Sequence, residues 1–186
     1  DHERAEAGDR RERRRQDRPT GLLQRARERL GLAVRAPDRV GQVHAVIVNQ
    51  TLEIDGSAAK GLGGAGALIN YGTMSWSGAS DIQMANSARI INQPGALFDI
   101  QNNQSIAIGN GGVITNLGTI RKTAGGGITV ITVPLYNSGT LDVQSGLMAY
   151  ASGSQFHAGT AFTGGGTNLV YTGTVGFNGT VTSENL

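Results

Sequence analysis

Residues 134–146 read PLYNSGTLDVQSG. The rhythm at their centre, an Asn followed two residues later by Gly, recurs upstream as LINYGTM from Leu68, IINQPGALF from Ile90 and ITNLGTI from Ile114. The asparagines are Asn70, Asn92, Asn116 and Asn137, spaced 22, 24 and 21 residues apart. A period of this length, built from short apolar runs and turn residues, marks a stacked repeat. Aligning on Asn brings Gly72, Gly95, Gly118 and Gly139 into a second column, with one extra residue in the second repeat. A third column holds Met74, Leu97, Ile120 and Leu141, and Asp99-Ile100-Gln101 then matches Asp142-Val143-Gln144.

A single repeat of this kind cannot bury its own apolar face and must stack on its neighbours. Within 140–144 the side chains alternate, which directs Leu141 and Val143 inward and Asp142 and Gln144 outward. Each repeat has room for about three such strands; in the fourth they fall near Tyr136, Leu141–Gln144 and Leu147–Tyr150. The expected fold is therefore all-β, a parallel β-helix (β-solenoid). At ~4.8 Å per strand, residues 46–186 make about six coils and a rod roughly 30 Å long. The Asn column predicts a hydrogen-bonded amide ladder along the axis, and the Gly column predicts turns that need φ > 0. Ser75, Asp99, Arg121 and Asp142 share one outward column. That predicts an exposed charge ladder worth ~0.2–1 kcal/mol per pair.

Composition divides the chain in two. Residues 1–40 hold twelve of the 16 Lys+Arg and eight of the 14 Asp+Glu; residues 41–186 hold four and six. The net charge is thus +4 on the first segment and −2 on the second. The basic balance of the chain belongs to the arm and says nothing about the remaining surface. We read residues 1–42 as an Arg-rich arm, disordered or with a short amphipathic helix carrying Leu22, Leu23, Ala26, Leu30 and Ala33, or else as a gene-model artefact. Its mixed charges and lack of aromatics argue against nucleic acid as a partner. Residues 43–186 are the repeat domain, in which short β-prone runs alternate with Gly or Asn turns. The chain starts at Asp1 with no visible signal peptide, and we read it as a fragment or a gene model cut at both ends. No twenty-residue apolar run is present, so no membrane span is expected. With no Cys, a disulfide framework is excluded.

Few residues suggest chemistry. His2, His44 and His157 are isolated and lack metal-ligand spacing, so no metal or other cofactor is expected. The Gly-rich GLGGAGAL at 61–68 lacks the Lys and Ser/Thr of a phosphate loop and reads as a flexible turn. The strongest enzymatic candidates are Asp99 and Asp142, two coils and ~9–10 Å apart, with Arg121 between them. That separation suits a pair of carboxylates acting on a polysaccharide. Few aromatics stand ready for sugar stacking, however, and no long loops wall a cleft. Alternating threonines in TGTVGFNGTVT, 172–182, offer a weak ordered-water face that β-propensity alone explains. Adhesion through exposed Trp76, Tyr71, Tyr136 and Tyr150 is the expected binding mode.

At these residues the sequence resembles a known group. GVITNLGTIRKTAGGGITVITVPLYNSGTLDVQSGLMAY is similar to the Asn-x-Gly-Thr repeats of autotransporter-like and adhesin-like surface proteins of Gram-negative bacteria and planctomycetes. The likeness is best over Leu68–Ala151. It implies a right-handed parallel β-helix, secretion, and a bacterial extracellular or cell-surface location. It carries over no catalytic or ligand residues. The expected function is a structural stalk or adhesion segment without catalysis, with a glycan or a host or matrix protein as partner. Strand edges at the ends predict end-to-end self-association. A polysaccharide lyase or hydrolase is the alternative.

Overall fold

A computed structural model describes residues 45–151 and 153–186. The expectations for residues 1–42, and those for His2 and His44, lie outside the described residues.

The apolar alternation read from the sequence becomes three parallel sheets, and the chain visits them in strict rotation. Strands are numbered in chain order. Sheet A holds β1 (Ala45–Val48), β4 (Ala67–Asn70), β7 (Ala88–Asn92), β10 (Gly112–Asn116), β13 (Leu135–Asn137), β16 (Gln155–His157) and β19 (Gly176–Asn178). Sheet B holds β2 (Thr51–Ile54), β5 (Thr73–Trp76), β8 (Leu97–Ile100), β11 (Thr119–Lys122), β14 (Thr140–Val143), β17 (Ala161–Thr163) and β20 (Thr182–Ser183). Sheet C holds β3 (Lys60–Leu62), β6 (Ile82–Met84), β9 (Ile106–Ile108), β12 (Ile128–Ile131), β15 (Leu147–Ala151) and β18 (Thr167–Thr172). Each strand pairs with its counterpart one coil away, so the molecule is a β-solenoid of about six turns. Among the described residues no helix is long and apolar enough to cross a membrane.

The core is a set of in-register rows. In sheet A, Val46, Leu68, Ile90, Ile114 and Leu135 lie one above another. In sheet B the row is Leu52, Met74, Phe98, Ile120, Leu141 and Phe162. All eleven are buried. Phe98, not Leu97, takes the inward place in the second repeat. The extra residue moves Leu97 outward, level with Thr73 and Thr119. Toward the C-terminal end the core becomes aromatic. Phe156 packs edge-on against Phe162 at 5.0 Å between ring centres and against Tyr150 at 5.6 Å.

The asparagines form the ladder expected of them. Asn70 Nδ2 donates to Asn92 Oδ1 at 2.8 Å, Asn92 to Asn116 at 2.8 Å, and Asn116 to Asn137 at 2.6 Å. All four side chains are inaccessible to solvent. Their amides also reach carbonyls at the start of sheet B: Leu97 at 2.9 Å, Thr119 at 3.0 Å and Thr140 at 3.2 Å. The ladder thus ties the A–B corner of one coil to the next. Beyond Asn137 the place of the amide is taken by Thr160 Oγ1, which accepts from Asn137 Nδ2 at 3.0 Å.

The glycine column has a different cause from the one expected. Only Gly95 has a positive φ, +80°, and it sits in the extra turn. Level with Gly72 and Gly118 stands Ala96, since the amide of Leu97 bonds to Gly72 and that of Thr119 to Ala96. Gly72, Gly118 and Gly139 lie outside the left-handed region. They are needed because a Cβ would fall 2.1–2.4 Å from a carbonyl oxygen of the coil below.

Candidate functional site

The inward face of each strand is spent on the core, so any chemistry must come from the outward rows. On sheet B one row reads Glu53, Ser75, Asp99, Arg121, Asp142 and Thr163 in register. Arg121 therefore does lie between the two aspartates. It pairs with one of them: Nε donates to Asp142 Oδ2 at 2.8 Å. Gln144 donates to the same oxygen at 3.1 Å. Asp99 accepts from Thr123 Oγ1 at 2.8 Å and from Gln101 Nε2 at 2.7 Å. The row is less open than the sequence suggested. The Asp142 side chain is only 12% exposed, against 36% for Arg121. Each carboxylate is held by neighbours on its own sheet, an arrangement that braces a surface.

The aromatic candidates separate. Trp76 and Tyr150, expected on the surface, are wholly buried. Trp76 stands between Ile54 and Ile100 in an inward row of sheet B, and its indole Nε1 finds no hydrogen-bond acceptor. The Tyr150 hydroxyl donates to Asn168 Oδ1, and burial pushes its pKa well above the ordinary range. Both residues fall at inward places because strand parity, not polarity, decides the side on which a ring lands. Tyr71 and Tyr136, 55% and 44% exposed, do reach solvent, both along the outward side of sheet A.

Lys122, next to Arg121, is buried in the inward row between Ile100 and Val143. Its Nζ donates to the carbonyls of Asn102 and Ala124 and to Asn103 Oδ1. Burial lowers its pKa. All three ammonium protons have acceptors, so the group serves as a cross-link between turns. Parity could have revealed this, because Lys122 is one residue from Arg121 and so faces the other side.

No group of three or more His, Asp or Glu suited to a metal ion occurs among the described residues. His157 is exposed at the end of β16. Comparison with family models, with curated proteins and with solved structures returned no match.

Proposed function

We propose that this solenoid is a stalk or adhesion segment of a secreted or surface-attached bacterial protein, and that it acts without catalysis. The observation that carries this reading is the Asn70–Asn92–Asn116–Asn137 ladder, buried and continuous across four successive coils. Each rung joins neighbouring coils, so tension or bending along the rod is shared by side-chain bonds as well as by three parallel sheets. The surface location rests on the repeat resemblance. A glycan or a host or matrix protein remains the proposed partner of the outward faces.

Force spectroscopy on the full chain, held at its two ends, tests the reading. A stalk extends in discrete high-force steps, and Asn116→Ala lowers the force of the steps that involve the central coils. Low-force, featureless extension with no effect of Asn116→Ala would overturn it.

The row Asp99, Arg121 and Asp142 supports a second reading, cleavage of an acidic or plant polysaccharide. Incubation with such polymers while following new reducing ends and ultraviolet-absorbing unsaturated ends distinguishes the two. The stalk reading expects neither product; turnover that disappears in Asp142→Asn would favour the enzyme.

A further inference from the structure

The outward side of sheet A is unlike that of sheet B. Its central row reads Ile47, Ile69, Ile91, Thr115, Tyr136 and Gln155 in register through six strands. Ile47 and Tyr136 are 45% and 44% exposed, with Tyr71 and Leu117 flanking at 55% and 39%. Of the outward side chains on these strands, Arg89 is the one Lys, Arg, Asp or Glu. Single exposed apolar residues are ordinary, but a row that continues from coil to coil marks an interaction face.

We infer that this face docks against the same face of a second copy, with the two rods side by side and antiparallel. Three observations select that occupant. The first is area. Seven strands at ~4.8 Å span roughly 30 Å, and the face with its flanks is about 20 Å wide, so a pair covers about 1,200 Å². That is the lower edge of a stable interface.

The second observation is charge. A partner carrying strong charge of either sign finds one cation here, whereas an equally uncharged face brings no unpaired carboxylate into the contact. The third is the order of the strands. β10 is the middle strand of seven. A two-fold axis along β10 sets β7 of one copy over β13 of the other. Ile91 then covers Tyr136 of the second copy, and Arg89 lies beside that ring, where a cation is favoured. The contact is isologous, each patch meeting itself. It does not depend on the stalk reading, and its test has no bearing on the force experiment.

Sedimentation velocity of the full chain over a concentration series is the direct test, with circular dichroism as the check on folding. The wild type is expected to show a reversible monomer–dimer equilibrium. Thr115→Asp puts two carboxylates face to face on the two-fold axis and is expected to raise the dissociation constant at least tenfold. Tyr136→Asp does the same should Thr115→Asp unfold. Gln83→Asp, outward on sheet C, leaves the equilibrium unchanged. A wild type that stays monomeric at about 100 μM, well above the micromolar-to-picomolar range of specific interfaces, overturns the inference. So does a dimer indifferent to both sheet A variants, which would point to the rod ends. Because the chain has no Cys, introduced thiols report orientation through a short bismaleimide. Thr115→Cys cross-links to itself in an antiparallel pair and Ile47→Cys does not; cross-linking through Ile47→Cys would overturn the antiparallel arrangement.

Discussion

Gly139 and Gly126 differ by what a methyl group would meet. At Gly139 a Cβ would lie 2.1 Å from the carbonyl oxygen of Gly118, a main-chain atom fixed by its own pairing; at Gly126 nothing lies within 4 Å. Relieving the first clash means parting two coils. Gly139→Ala should therefore lower stability by about 3 kcal/mol or more, in the range of severe overpacking, whereas Gly126→Ala stays within about 0.5 kcal/mol. Urea denaturation midpoints of the two variants check this.

Lys122 sets a pH dependence at the same scale. Its pKa in the fold is lowered from 10.5 by burial, so between the folded value and 10.5 the unfolded chain binds more protons. Stability must therefore rise with pH across that window. Tyr150 acts oppositely: its pKa is raised above 10.0, and its contribution is complete below 10.0 and lost as pH climbs further. Subtracting the denaturation curve of Lys122→Met from that of the wild type isolates the lysine. The difference should shift in favour of the wild type as pH rises toward 10.5, and a flat difference would rule the mechanism out.

Strands and turns form the next scale, and there the buried amide ladder outweighs the surface ion pair. Asn116 accepts from Asn92 and donates to Asn137 and to the Thr140 carbonyl, all away from water. Asn116→Ala removes all three bonds, at about 0.5–1.5 kcal/mol each, and leaves the buried Asn137 Oδ1 without this donor, while Asn92 Nδ2 keeps the Thr119 carbonyl. A loss near 3 kcal/mol is expected. Arg121 and Asp142 sit on the outer side, where solvent screens the pair, and Arg121→Ala should cost less than about 1 kcal/mol. Thermal melts of the two variants side by side give the order; a larger effect from Arg121→Ala would contradict it. The Asn ladder was legible in the sequence because one residue type recurs at one place in four successive periods. The roles of Trp76 and Tyr150 were not. Identity suggested rings for a surface, and only the parity of the strand around each one sets it inside.

Across the whole molecule each described coil is covered by neighbours on both sides except the first and the last, since β1, β2 and β3 and, at the other end, β19, β20 and β18 are the edges of the three sheets. Phe177, on the edge strand β19, continues the inward place of Phe156 in register and is 50% exposed. Val175 and Val181 are likewise only partly buried. Hydrogen exchange should therefore be slowest at the amides of Ile90, Ile114 and Leu135, and fastest in β19 and β20. Mass-spectrometric exchange along the chain reads this gradient, and uniform protection would argue against coil-by-coil stability. Docking through sheet A would add protection at Ile91 and Thr115 without changing that order.

The sequence by itself determined the repeat, the parallel β-solenoid with three strands per coil, the asparagine ladder and the column that places Arg121 between Asp99 and Asp142. These follow from periodicity, which stacking turns directly into contact between equivalent residues. Tertiary structure alone decided why Gly72, Gly118 and Gly139 are glycines, that Phe98 displaces Leu97 in the core, and which tyrosines meet solvent. Each of these depends on distances between coils or on a one-residue shift in strand parity. Neither is written in the spacing of the repeat.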